Sequence, residues 1–465
     1  MKFADFIQLI VSRCSYTPTA DQMSALDTFA HFLGDRSART AMVLCGSAGT
    51  GKTSLTGAMM QTFHSLGQKL VPMTPTGRAA KVLQKSCGLP SFTIHRKIYR
   101  EKSYQGIGGE FALNNNLYKN TLFVVDEASM CTAQLLSDLV RYVYSGMNCR
   151  ILFIGDSAQL PPIGEDEAPA LSPDVLHMMG LTVYECNMSE VRRQNVDSGI
   201  LLNATSLRMM IERGNTDALP QIKLHGFADL ERIDGQDIVD YLSSSYDNAG
   251  VNETIVITRS NKAANIYNNG IRQAVLDLDD VLCPGDRIMI VKNKYLDGKE
   301  RRTLQFLANG DVGEVVSVHN QRELYGFHFA DVTLRLPDYD NEEIDQTVIL
   351  DSLCADAPAL TGEQQQQLYN GVMEDYADIS LKHDRLMKLK SDAYFNALQI
   401  KYAYAVTCHK AQGGQWKHVY IDQGYITADN LNAEYFHWLY TAFTRAREKL
   451  FLINWPTQQK AEAEA

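Results

Sequence analysis

Thr40-Ala41-Met42-Val43-Leu44-Cys45 runs directly into Gly46-Ser47-Ala48-Gly49-Thr50-Gly51-Lys52-Thr53, and a helical pattern follows to residue 66. A short apolar run, a glycine-rich loop ending in Lys-Thr and a helix make the strand–loop–helix context that a P-loop requires. Glycines let successive backbone N–H groups curl around phosphate oxygens, and the helix N-terminus adds its positive end. Lys52 is then expected to reach the β- and γ-phosphates of a nucleoside triphosphate, and the Thr53 hydroxyl to hold Mg²⁺. The candidate nucleotide contacts are Gly46, Ser47, Ala48, Gly49, Thr50, Gly51, Lys52, Thr53 and Ser54.

Outward from this loop, apolar runs at residues 69–74, 122–125 and 150–154 alternate with helical patterns at 22–32 and 77–85. That alternation predicts a parallel sheet with crossover helices, an α/β domain. The run at 121–125 ends in Asp126-Glu127-Ala128-Ser129. An Asp at the end of a buried strand suits Mg²⁺, and a Glu beside it can orient and deprotonate a water. Asp126 is therefore the candidate metal ligand and Glu127 the candidate base.

Residues 97–120 break the alternation with a Gly- and Asn-rich piece that predicts an inserted hairpin. A second α/β region opens near residue 196, with a strand at 254–258 and a helix at 261–276. From about 281 to 352 the texture is β, then a polar helical pattern runs from 361 to about 390, and α/β texture resumes at 400. Residues 277–394 are read as a small barrel with a helical arm.

The 465 residues carry a formal charge of −11, the wrong sign for a chain that binds phosphates over its whole surface. The charge is unevenly placed, however. Between Lys69 and Arg100 lie Lys69, Arg78, Lys81, Lys85, Arg96, Lys97 and Arg100 with no Asp or Glu, a basic track on an acidic body. The nine cysteines form no CxxC pair, which points away from a zinc site or disulfide framework and toward a reducing cytoplasm. No apolar run is long enough to span a bilayer.

Several stretches resemble the motifs of superfamily 1 helicases, in order and over nearly the whole chain. Asp126-Glu127-Ala128-Ser129 is similar to motif II, and Gly155-Asp156-Ser157-Ala158-Gln159-Leu160-Pro161-Pro162 to motif III. The resemblance makes Gln159 a γ-phosphate sensor, and Gln22, after Thr17-Pro18-Thr19, the reader of the adenine edge. Thr74-Pro75-Thr76-Gly77-Arg78 resembles motif Ia and Thr93-Ile94-His95 motif Ib. Val406-Thr407-Cys408-His409 opens a motif V-like stretch in which Gln415 stands where superfamily 1A motors carry Glu. Pro75, Thr76, Gly77, Arg78, Thr93, His95, Thr407 and His409 are the DNA contacts so implied. Met188-Ser189-Glu190-Val191-Arg192-Arg193-Gln194 resembles motif IV, and Tyr440-Thr441-Ala442-Phe443-Thr444-Arg445 motif VI. Arg193 and Arg445 take the places of the family's catalytic arginines, and Arg447 a structural place.

Within the superfamily, Gly285-Asp286-Arg287-Ile288-Met289 and Asn309-Gly310-Asp311-Val312-Gly313 resemble the SH3-like domain of the RecD/Dda branch, superfamily 1B. The implied fold is α/β, with two RecA-like P-loop domains carrying an inserted β-hairpin (1B) and an inserted SH3-like barrel (2B). Domain 1A takes residues 1–96 and 121–195, the hairpin 97–120, domain 2A 196–276 and 395–465, and domain 2B 277–394. The early P-loop leaves no room for the N-terminal extension of RecD proteins, so the short Dda-like arrangement is expected. The implied activity is an ATP- and Mg²⁺-dependent DNA helicase moving 5′ to 3′ on single strands and acting at single-strand/duplex junctions. Phe111, after the glycines of the hairpin, is the candidate strand-separating residue. A Pif-family helicase, an Upf-like RNA motor and an ATP-switched nucleic-acid clamp that unwinds nothing are the alternatives.

Overall fold

A computed structural model describes residues 2–101, 111–190, 197–296, 304, 306–427 and 430–461. The first sheet is six-stranded and parallel. Its order is Phe92–Thr93, Lys69–Thr74, Thr121–Val125, Arg150–Gly155, Thr40–Gly46, Thr182–Met188. Side chains of a strand alternate between faces, and a parallel sheet is buried on both. Val43, Phe123, Val125, Ile151 and Phe153 accordingly pack one core. Their neighbours Met42, Leu44, Leu122, Val124, Leu152 and Ile154 pack the other, beneath helices Ala20–Gly34 and Lys52–Ser65.

A second parallel sheet runs Ala405–Thr407, Thr254–Thr258, Trp416–Asp422, Ala446–Ile453, Leu230–Ile233. Between Thr254–Thr258 and Ala405–Thr407 the chain leaves to build a closed five-strand barrel from Arg287–Ile290, Val312–Leu324, Phe327–Leu336, Glu342–Ile349 and Leu398–Tyr402. One face of the second sheet (Val256, Tyr420, Phe451) shares a continuous core with barrel residues Ile288, Val315, Leu334 and Ile400. The predicted helical arm is two helices, Gly362–Asp375 and Lys382–Lys390, whose Leu368, Val372 and Leu389 pack on Phe327, Phe329 and Ile349 of the barrel.

The expected end of the barrel at residue 394 needs correction, because the closing strand is Leu398–Tyr402. Two residues later Tyr404 accepts a backbone bond from Val256 in the second sheet. One extended segment thus serves both bodies, and its periodicity cannot say where one ends. The inserted piece forms an antiparallel ribbon of Tyr99–Glu101 with Phe111–Leu113, in register Tyr99 with Leu113 and Glu101 with Phe111. Its base is anchored by the Tyr99 hydroxyl, which donates to Asp138 at 2.8 Å.

Candidate nucleotide site and interdomain cleft

Parallel pairing puts the C-terminal ends of Thr40–Gly46, Thr121–Val125 and Arg150–Gly155 on one edge, where ligands of open α/β sheets bind. The P-loop, Asp126-Glu127 and Asp156–Gln159 therefore meet there. In the loop Gly49 and Gly51 take φ of +85° and +80°, a region closed to most side chains. A Cβ on Gly51 would also fall 2.8 Å from the Gln22 amide nitrogen. That nitrogen donates to the Thr50 carbonyl at 2.9 Å, while the Gln22 oxygen accepts from Thr19 N–H at 3.1 Å. Gln22 is fully buried and ties the helix Ala20–Gly34 to the phosphate loop. The Lys52 ammonium donates to the carbonyls of Gly46 and Ser47, inside the curl of the loop.

Asp126 is half-buried, and burial first, then the Glu127 carboxylate, raises its pKa well above the ordinary carboxylate range against the pull of Lys52. Its Oδ1 accepts the Glu127 N–H at 2.9 Å. Glu127 itself stands in the left-handed region at φ +53°, a strained conformation for a residue with a side chain. Two crowded carboxylates beside a lysine and an exposed Thr53 are a donor set that a hard divalent cation neutralises, so the residues fit Mg²⁺.

The second domain closes directly onto this edge. Ala158 and Leu160 lie in the hydrophobic core of the second domain, with Cys408, Ala411, Tyr440 and Phe443. Leu160 N–H donates to Thr441 Oγ1 at 2.8 Å, Gln412 Nε2 donates to the Leu160 carbonyl at 2.8 Å, and His437 Nδ1 lies 2.9 Å from the Ala158 carbonyl. Asp156, 1% exposed, accepts from Arg208 Nη1 at 2.5 Å and from the Tyr440 hydroxyl at 2.6 Å. The same hydroxyl accepts the Ala48 N–H of the P-loop at 3.3 Å. Gln159 is buried and its Oε1 has no hydrogen-bond partner among the described residues. Arg445 is 3% exposed and donates to the carbonyls of Thr441 and Gly414 and to the Thr444 hydroxyl, all in its own domain. Arg193 lies outside the described residues.

The expected DNA contacts divide. Thr76 and Thr93 cap helices, their hydroxyls accepting from Ala79 and Arg96 N–H, and Pro75 is half-buried before the first cap. Gly77 is buried against the barrel loop, and the Arg78 guanidinium lies 4.2 Å over the Trp416 ring. These two are held by the second domain and the barrel rather than presented to solvent. His95 and His409 are both half-buried, and burial lowers the pKa of each, which favours neutral rings. Thr407, half-buried, ends a strand of the second sheet. Phe111 belongs to the ribbon's second strand, and the turn at residues 102–110 lies outside the described residues. Sequence reasoning gave no role to Arg208, Tyr440 or Asp156. A signal existed for Arg208, since Ile200, Asn203, Ala204, Leu207 and Arg208 share the buried face of one helix.

Comparison with known proteins agrees with this architecture. Residues 19–228 match the family model described as an AAA domain, and residues 402–453 match that of the UvrD-like helicase C-terminal domain. The ATP-dependent RecD2 DNA helicase of Deinococcus radiodurans is 35% identical over 145 residues, 31% of this chain and 18% of that protein. The ATP-dependent DNA helicase dda of Enterobacteria phage T4 is 27% identical over 281 residues, 58% of this chain and 61% of that one. The chain thus spans less than two thirds of the length of these relatives. The Bacteroides Pif1 helicase in complex with ADP-AlF3 and ssDNA has the same fold, with a TM-score of 0.51 at 15% identity, covering 97% of this chain and 95% of that one. Fold and site together define a P-loop protein of helicase architecture, with a nucleotide edge closed by a second α/β domain. Its two matched segments are those of an AAA domain and a UvrD-like helicase C-terminal domain, and its relatives include the RecD2 and dda helicases.

Proposed function

We propose that this chain is an ATP-dependent DNA helicase that moves 5′ to 3′ along a single strand and opens duplex ahead of it. The observation that carries the reading is the seam at the P-loop edge, where Ala48 and Leu160 bond to Tyr440 and Thr441 of the opposite domain. A nucleotide bound at that edge alters the contacts that set the angle between the domains, and alternating closure moves two nucleic-acid footholds in turn. Lys52 and the P-loop amides bind the phosphates, Gln22 borders the adenine position, Glu127 orients and deprotonates the attacking water, and Gln159 senses the γ-phosphate. Arg193 and Arg445 meet the developing charge once nucleotide draws the cleft shut, Arg445 from the opposite domain. Asp126 and Thr53 would hold Mg²⁺, which supplies charge neutralisation on the β- and γ-phosphates when bound.

In this reading the ribbon is the 1B pin, with Phe111 as its wedge, and the barrel is the SH3-like 2B domain. The substrate is single-stranded DNA and its junction with duplex. Thr76, Thr93, His95, Thr407 and His409 line the strand's path, with Pro75, Gly77 and Arg78 at its edge. The setting is cytoplasmic; none of the nine cysteines is in a disulfide, and no helix among the described residues is long and apolar enough to cross a membrane. ATP hydrolysis measured with and without single-stranded DNA tests the reading. Strong stimulation, abolished by Lys52→Ala and reduced by Glu127→Gln with ATP binding retained, is expected. A chain that binds ATP but is indifferent to nucleic acid would refute it.

A further inference from the structure

Three independent hydrogen bonds converge on one buried point of the cleft. Asp156 Oδ2 takes the Tyr440 proton at 2.6 Å, Asp156 Oδ1 takes Arg208 Nη1–H at 2.5 Å, and the Tyr440 oxygen takes the Ala48 N–H at 3.3 Å. Tyr440 and Arg208 come from the second domain, while Ala48 and Asp156 come from two different loops of the first. The phenol is 1% exposed, and burial, then the Asp156 charge, raises its pKa, so it stays a proton donor to the carboxylate. Its one oxygen is thereby both donor and acceptor, joining a phosphate-loop amide to a carboxylate of the motif III-like turn.

The carboxylate at the far end shapes the turn that bears Gln159. Asp156 Oδ1 also accepts Ala158 N–H at 3.2 Å, and Gln159 N–H donates to the Asp156 carbonyl at 3.1 Å. Gln159 Oε1 is left buried without a hydrogen-bond partner among the described residues. A buried polar atom without a partner is costly, so its position has to be imposed by its surroundings. The groups that impose it are those gripping Asp156.

We propose that Tyr440 is a positioning residue. Its hydroxyl links the Ala48 amide of the nucleotide loop to Asp156 and through it sets Gln159, so that nucleotide state and interdomain closure are read at one oxygen. When phosphates draw the loop amides toward themselves, the Ala48 bond changes first, and the phenol passes the change to the turn and to its own helix, Ala433–Phe443. Arg208 holds the other carboxylate oxygen and keeps Asp156 in place. The role is distinct from that of Arg445, just past the end of the same helix, whose described bonds stay within its own domain.

The inference rests on the helicase reading, and its test separates the two. Tyr440→Phe keeps the ring and removes only the hydroxyl. The ratio of ATPase rates with and without single-stranded DNA is expected to fall by about tenfold or more, within the usual range of site-to-site coupling. KM for ATP should move by less than about threefold, because no phosphate ligand is lost. Asp156→Asn, which keeps the shape and removes the charge that holds the phenol, should lose stimulation as well, and the double variant should be no worse than the poorer single one. Melting curves accompany each protein; if Tyr440→Phe does not stay folded, Asp156→Asn decides. A folded variant stimulated as strongly as the parent overturns the inference while leaving the helicase reading intact. A parent protein without DNA stimulation overturns both.

Discussion

Asp311 of the barrel lies so close to Gly77 of the first domain that a Cβ on Gly77 would sit 2.3 Å from its Oδ1 and 2.8 Å from the Ala308 methyl. The carboxylate is held by Ala308 N–H and the Tyr339 hydroxyl, both at 2.7 Å, and burial pushes its pKa up to about 6. Lys81, one turn along the Gly77–Cys87 helix, places its ammonium 4.1 Å over the Tyr339 ring. On the other side of that helix Gly413 comes within 3.1 Å of Ala79 as a Cβ would be placed. The helix start is thus clasped by barrel and second domain together.

Gly77→Ala should therefore force the barrel loop away. Overpacking of this kind costs about 1–3 kcal/mol, to be read as a lower denaturation midpoint and faster proteolysis between the first domain and the barrel. Unaltered stability would mean that the clasp adds nothing to the resting protein.

The arginine assignments make a sharper demand. If Arg193 and Arg445 reach the γ-phosphate in the closed cleft, either change to Ala should lower kcat by about 10³-fold or more, the scale of arginine fingers, with ATP affinity falling far less. In the structure Arg445 grips Thr441 and Gly414. A loss of stability with kcat intact would make it a strut of its own domain instead.

Phe111→Ala tests the pin. A wedge needs an aromatic or apolar face to stack on the parting base pair. DNA-stimulated ATPase and movement on single strands should persist while duplex separation slows. Unwinding of forked DNA at the parental rate would assign the wedge to another residue.

What could be read in the sequence was local. The P-loop, the acidic pair after Thr121–Val125 and the strand–helix alternation each carry their chemistry within a dozen residues, and the sheets form where the apolar runs stand. What could not be read joins distant segments. Ala48 and Tyr440 are 392 residues apart, and Asp156 and Arg208 are 52 apart, and no periodicity links them. Arg78 is a further case, since its motif names a basic residue but nothing near it in sequence reveals that Trp416 lies under its guanidinium. Residues 398–402 fail for another reason: a fully buried strand reads the same whether it closes a barrel or joins an open sheet.

The central claim is directional, ATP-driven strand separation, and one measurement addresses it most directly. Two partial duplexes of identical base-paired sequence, one with a 5′ single-stranded tail and one with a 3′ tail, are incubated with the protein, Mg²⁺ and ATP, and the released strand is followed. The account predicts release from the 5′-tailed substrate, with little from the 3′-tailed one and none without ATP. Release from the 3′-tailed substrate alone, or ATP turnover with neither duplex opened, would contradict it.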